Sequence, residues 1–244
     1  MNKSDISIGT WLSLYSEAIA ELLVKAGYEW ITVDLEHSAI SIDQAEKLIR
    51  VIDLAGAKPF VRVSSNDEVQ IKRVLDAGAL GIIVPMVNSQ EDVMKAVNAV
   101  NYPPIGSRGM GLARAQGYGE AKAKKAYIEN TSKEIELYIQ IESKEALDNL
   151  DDIFSQKING YIIGPYDLSA SMGIAGDFSN PDFINTELKI IETAKQYDIK
   201  RGYHIVEPDE DELEHRKSQG YNFIAYSVDF RMLDVMARKP FNNE

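Results

Sequence analysis

The chain of 244 residues has no cysteine, only three histidines and two tryptophans, and 26 Lys and Arg against 38 Asp and Glu. Lack of cysteine excludes disulfides, thiolate nucleophiles and cysteine-ligated zinc, and leaves the redox compartment unmarked. The shortage of cations gives a formal charge of -12 and a pI near 4.8. Phosphate backbones and anionic membranes are recognised by clustered Lys and Arg, so neither nucleic acid nor a membrane is an expected partner. No apolar run has the length of a signal peptide or a membrane span, and Met1-Asn-Lys-Ser-Asp5 leads straight into a strand-like segment. The cytoplasm is the expected compartment. No Gly-rich turn follows an early strand, which argues against a nucleotide-binding doubly wound sheet.

What is present is alternation. Short runs rich in Val, Ile and Tyr alternate with amphipathic stretches of helical period, the pattern of repeated βα units. Strands are expected near 6–13, 30–36, 58–63, 81–86, 135–141, 160–164, 201–206 and 222–227, each followed by a helix. In the helix expected over 41–55, Ser41 can cap and Asp43 suits the first turn. Ala45, Leu48, Ile49 and Ile52 form the buried stripe, and Gly56 terminates it. Eight strands with eight helices predict a (β/α)₈ TIM barrel, an α/β fold with its active site at the C-terminal strand ends. With no credible boundary or low-complexity linker, residues 1–244 read as a single domain. The one long interruption, residues 102–134, is of a length that is usually functional or partner-binding.

Two acids stand where strands with little charge should end. Glu142 closes the run from Ile135, and Asp167 follows Tyr161-Ile-Ile-Gly-Pro165. Either alone reads as a cap or first-turn acid of the next helix; together, from one sheet, they outline a divalent-metal site. Two carboxylates are a sparse shell that suits Mg²⁺ or Mn²⁺, which keep waters and take further ligands from substrate. Strand alternation puts Gln140 on the face of Glu142, one layer below. Arg62, between Val61 and Val63, could stabilise an enolate or carboxylate, pair with Asp34 or Glu36, or do both. His37 is the only histidine at an expected catalytic end, with Asp34 or Asp76 to orient its ring for proton transfer, although a lone histidine is more often structural. His204 and His215 receive no role. Trp11 and Trp30 read as barrel packing, and Asp209–Glu214 as the start of a solvated helix. Arg108 and Arg114 could bind an acidic substrate tail or pair across a subunit interface.

Five segments together closely resemble the HpcH/HpaI family of class II, metal-dependent aldolases. They are Ala26-Gly-Tyr-Glu-Trp-Ile-Thr-Val-Asp-Leu-Glu-His37, Ile71-Lys-Arg-Val-Leu-Asp-Ala-Gly78, Tyr102-Pro-Pro-Ile-Gly-Ser-Arg-Gly109, Gln140-Ile-Glu142 and Gly164-Pro-Tyr-Asp-Leu-Ser169. The resemblance runs in order from about Gly9 to Asp229. It implies a (β/α)₈ barrel, a Mg²⁺, Mn²⁺ or Co²⁺ ion, and reversible cleavage of a 4-hydroxy-2-oxoacid to pyruvate and an aldehyde. Carried over, it makes Glu142 and Asp167 the metal ligands, Arg62 the contact to the enolate oxygen and His37 the proton-transfer group, with Asp34 or Asp76 behind it. Gln140 then lines the pyruvate site, and the backbone of Gly164, Pro165, Tyr166 and Asp167 receives the pyruvate carboxylate. Tyr166 stands where an alanine is common in the family, which alters the pocket. The family also implies a homohexamer that exchanges its last helix, here about 230–238. A Schiff-base aldolase would need a lysine at a strand's C-terminal end, whereas Lys58 and Lys200 lie at strand starts. Oxaloacetate decarboxylase, a citryl-type lyase on the same site, and a catalytically silent barrel serving as a binding protein are the alternatives.

Overall fold

The computed structural model describes residues 6–241; Met1–Asp5, on which the reading of the N-terminus rests, lie outside them. The chain order is β1 (Ser7–Leu12), α1 (Glu17–Ala26), β2 (Trp30–Asp34), α2 (Ile42–Ala55), β3 (Lys58–Arg62), α3 (Glu68–Ala77), β4 (Gly81–Val84) and α4 (Gln90–Val100). It continues with α5 (Ala121–Glu129), β5 (Glu136–Ile141), α6 (Lys144–Asp148), α7 (Leu150–Phe154), β6 (Gly160–Ile163), α8 (Pro165–Ser171) and α9 (Pro181–Ala194). Last come β7 (Lys200–Ile205), α10 (Glu210–Gln219), β8 (Phe223–Val228) and α11 (Asp229–Arg238). Each strand pairs in parallel with the next and β8 returns to β1, so the sheet closes into the expected (β/α)₈ barrel. Among the described residues, no helix is long and apolar enough to cross a membrane.

The local rules that shape the helices are visible in α2. Gln44 accepts the Ser41 backbone N–H at 2.9 Å, closing the first turn, and Gly56 ends the helix at φ 106, where a side chain would be strained. Ala45, Leu48, Ile49 and Ile52 face the barrel and are buried. Burial of each larger side chain contributes about 1.5–3 kcal/mol.

Two apolar layers result. One lies between strands and helices, and the other fills the barrel with Trp11, Trp30, Phe60, Tyr138, Phe223 and smaller residues. Trp30 and Tyr138 stack on Phe223 with ring centroids 4.1 and 3.9 Å apart. Gly9 makes room for this, since a Cβ there would sit 2.0 Å from the Trp30 ring. The aromatic plug fills the barrel toward the strand starts, so the polar inward positions lie toward the C-terminal mouth. Topology sets the opposite fate for residues 101–135, which leave α4 and enter β5 at the N-terminal end of the barrel.

Candidate active site

The parallel register of β2 and β3 places Asp34 directly beside Arg62, both buried at the mouth. Arg62 Nε and Nη2 donate to Asp34 Oδ1 and Oδ2 at 2.9 and 2.8 Å, a bidentate pair that fixes the guanidinium plane. The same arginine reaches Glu36 Oε2 at 3.0 Å and Gln140 Oε1 at 3.5 Å, and lies 4.4 Å from the centroid of the Trp11 ring. Asp34 also accepts the backbone N–H groups of Glu36 and His37. Burial alone would raise its pKa, but the Arg62 hydrogen bonds and charge outweigh that and hold it below the usual value.

Glu142 follows β5 immediately and is 3 % exposed. Its Oε1 accepts the Met86 backbone N–H at 2.6 Å, and its Oε2 accepts from the Gln140 amide. Burial, reinforced by Glu36 and Asp167, pushes its pKa up to about 7 against the opposing Met86 and Arg62 contributions. Glu36 is likewise held at about 7, first by burial, with Asp34 and Asp167 adding to it and Arg62 opposing. Asp167 lies in the first turn of α8, whose cap is Gly164 and whose first residue is Pro165. A Cβ on Gly164 would come within 2.6 Å of Gln140 Nε2 and 3.0 Å of Glu142 Oε2, so glycine keeps the backbone open beside the acids. Tyr166 is half exposed, its ring 5.0 Å from Phe178.

Three carboxylates, Asp34, Glu36 and Glu142, thus act on one guanidinium, and Asp167 acts on two of them. This arrangement, on strand ends brought together by the barrel, coincides with the match of residues 7–234 to the model of the HpcH/HpaI aldolase/citrate lyase family. The chain belongs to the HpcH/HpaI aldolase/citrate lyase family. The chain is 36% identical over 230 residues to a 2-keto-3-deoxy-L-rhamnonate aldolase of Klebsiella pneumoniae subsp. pneumoniae, an alignment covering 93% of this chain and 84% of that one. The aldolase of that name from Escherichia coli K12 is 34% identical over 235 residues, with 94% and 85% covered. Among solved structures, an HpcH/HpaI aldolase/citrate lyase family protein from Burkholderia cenocepacia superposes with a TM-score of 0.91 at 28% identity, covering 98% of this chain and 95% of its own. The chain is an aldolase-type lyase, and class II aldolases of the HpcH/HpaI family are metal-dependent.

The donor set fits a divalent ion. Glu36 Oε2 is buried without a well-formed hydrogen bond, and Glu36 and Glu142 are raised to about 7 first by burial and further by neighbouring carboxylates, so a cation beside them would be stabilised. Among the described residues no group of three or more His, Cys, Asp or Glu is arranged to hold a metal; a two-carboxylate donor set would be a sparse shell, of the kind that leaves positions for water and substrate.

The structure does not bring every expected residue together. His37 is exposed, with its ring nitrogen 3.9 Å from Glu36, and Asp34 touches its backbone N–H while both Asp34 oxygens hold Arg62. Asp76 sits near the end of α3, at the opposite face of the barrel from His37, where Arg108 at 2.6 Å and Gln116 at 3.0 Å occupy its Oδ1. Arg108 and Arg114 both pair within the chain, to Asp76 and Asp53 respectively, rather than standing free for a substrate tail. Two mouth residues without an assigned catalytic role emerge, Glu36 and His204; in each case period-2 alternation, from Asp34 or from Gly202, is the signal.

Proposed function

We propose that this chain cleaves a 4-hydroxy-2-oxoacid to pyruvate and an aldehyde, with a divalent ion, Mg²⁺, Mn²⁺ or Co²⁺, held by Glu142 and Asp167. The observation that carries the reading is Arg62, locked by Asp34 in a fixed plane beside the two acids at the barrel mouth. The ion supplies Lewis acidity toward the 2-oxocarboxylate. Arg62 donates to the oxygen on which charge develops, and its preset orientation avoids reorganisation during the reaction. A base takes the proton from the C4 hydroxyl, the C3–C4 bond breaks, and its electron pair moves into the enolate, which is then protonated at C3. His37, exposed at the mouth, is the proton-transfer group. The backbone of Gly164 to Asp167 binds the substrate carboxylate, and Gln140 lines that pocket while holding Glu142. Asp34 positions Arg62; Asp76 serves the site only in an assembly that brings a second copy's α3 end to this mouth.

An oligomer, a hexamer by family resemblance, accords with α11, which touches β8 and β1 of its own barrel but leaves Phe230, Leu233 and Met236 exposed. Residues 1–244 act as one barrel unit, in the cytoplasm, on small-molecule substrates. The test is pyruvate release in a coupled lactate dehydrogenase assay. 2-Keto-3-deoxy-L-rhamnonate, other 4-hydroxy-2-oxoacids and oxaloacetate are compared with Mg²⁺, Mn²⁺, Co²⁺ or excess EDTA. Metal-dependent cleavage of a hydroxy-oxoacid is expected. Activity confined to oxaloacetate would make the protein a decarboxylase, and none at all would favour the silent barrel.

A further inference from the structure

We propose that Asp229 is a positioning residue for the aldol chemistry: it fixes the end of β1 and, through Trp11 and Ser13, holds the Asp34 and Arg62 pair in the plane that meets the enolate. The inference rests on the aldol reading above and deepens it, since Asp229 follows β8, on the other side of β1 from β2 and Asp34.

The end of β1 is bracketed by two carboxylates. β1 pairs with β2 as far as Leu12 opposite Val33, and with β8 as far as Trp11 opposite Val228. The next residue of each neighbour is an aspartate, Asp34 or Asp229, and Ser13, the first residue past β1, reaches both. The Ser13 N–H donates to Asp229 Oδ1 at 3.1 Å and the Leu14 N–H to Asp229 Oδ2 at 2.8 Å, while Ser13 Oγ donates to Asp34 Oδ2 at 3.4 Å. Beyond the last rungs of the two ladders these N–H groups have no strand to pair with, and the carboxylate replaces the strand with charge-assisted bonds. Asp229 is 4 % exposed. Burial raises its pKa against the N–H bonds from Leu14, Ser13 and Phe230, and the nearby charge of Asp34 adds to the rise.

The seam between β8 and β1 prepares this placement. Gly9 faces Ala225 but Trp11 faces Val228, so β8 carries one extra residue, and Ser227 within that bulge adopts φ 58, a left-handed conformation unusual outside glycine. A bulge bends its strand and re-aims the side chains beside it, and Asp229 follows two residues later. Thr10 Oγ1 donates to the Ser227 carbonyl at 3.2 Å and Ser227 Oγ to the Val206 carbonyl at 2.9 Å, which pins the bulge to both neighbouring segments.

What the end of β1 supports is Arg62. Trp11, two residues before Ser13, places its ring centroid 4.4 Å from the guanidinium carbon and covers one face of it. Asp34 grips the guanidinium edge through Nε and Nη2. Both supports lead to Ser13, one along the strand and one through its hydroxyl. Releasing Ser13 and Leu14 from Asp229 frees both, and a misplacement of about 1 Å costs on the order of 100-fold in rate.

The experiment compares the metal-loaded wild type with Asp229→Asn, Asp229→Ala, Arg62→Ala and the double variant Asp229→Asn/Arg62→Ala. It reads kcat and KM for the 4-hydroxy-2-oxoacid cleaved fastest in the panel above, exchange of the pyruvate C3 protons in deuterium oxide by NMR, and the urea midpoint. Asp229→Asn keeps the shape and one acceptor oxygen, so it should fold and lower kcat about tenfold with a smaller change in KM, as for loss of a hydrogen bond to a charged group. Asp229→Ala should lose more. Proton exchange should fall in step with kcat, because both pass through the enolate that Arg62 stabilises. On top of Arg62→Ala, Asp229→Asn should cost less than about twofold, since it acts through the missing arginine. Unchanged kcat and exchange in both Asp229 variants, whatever the urea midpoint, would reduce Asp229 to a structural cap. A full tenfold further loss in the double variant would show that it does not act through Arg62. Either result overturns the inference and leaves the aldol reading standing. A wild type that neither exchanges the C3 protons nor cleaves any hydroxy-oxoacid would overturn both.

Discussion

Glu142→Gln separates the electrostatic cost of the mouth from its hydrogen-bond geometry. Burial, above all, pushes the Glu142 pKa up to about 7 from the ordinary 4.5 of a glutamate. A raised folded pKa means that the protonated acid is favoured in the native state. Its stabilising contribution is full below pH 4.5 and is lost as pH rises through 7. Between pH 5 and 8 the metal-free wild type should therefore lose about 2–3 kcal/mol that the glutamine variant does not lose. For a chain of this size that is a relative shift in Tm of roughly 4–12 °C. Glu36, also at about 7 and repelled by Glu142, strengthens the contrast. His204, whose low pKa costs stability as pH falls below 6.5, acts on both proteins and cancels. The assay is calorimetry in EDTA at pH 5, 6, 7 and 8, repeated at pH 8 with Mn²⁺, which should restore the wild type and not the variant. Parallel Tm curves for the two proteins in EDTA would refute the reasoning.

Three further outcomes follow from the pairings at hand. Arg62→Ala should lower kcat by roughly two orders of magnitude or more, as for loss of an oxyanion donor; a change in KM alone, read from steady-state kinetics, would reduce Arg62 to an anchor. Asp34→Asn breaks a buried bidentate pair and should cost about 3 kcal/mol in urea denaturation, and an unaltered midpoint would contradict the geometry. Arg216→Met leaves Glu187 buried without its cation and should cost about 3–5 kcal/mol, whereas adding Glu187→Met should recover most of that loss; simple additivity of the two would refute the coupling.

The barrel was legible because its signals are local. Period-2 apolar runs located all eight strands to within two residues at each end, and Ser41 with Gly56 bounded α2 correctly. Strand-end position also brought Asp34, Arg62, Gln140, Glu142 and Gly164 to one mouth, since closure of a parallel barrel converts sequence position into proximity. What local reading missed depends on partners far along the chain. Asp76 gave no sign that Arg108 and Gln116 would claim it, and residues 102–134, whose length reads as functional or partner-binding, meet this barrel at its other end because they join α4 to β5. Met86, at φ 53, presents its N–H to Glu142 from a turn with no glycine to mark it.

Glu142 and Asp167 are proposed to hold one divalent ion on which pyruvate release depends. The most direct test is to titrate Mn²⁺ into the EDTA-stripped protein, following bound Mn²⁺ by electron paramagnetic resonance and pyruvate formation from 2-keto-3-deoxy-L-rhamnonate in the same samples. One ion per chain should bind as activity appears, and Glu142→Ala and Asp167→Ala should lose both while remaining folded. Full activity in EDTA, or undiminished Mn²⁺ binding by either variant, would contradict the account.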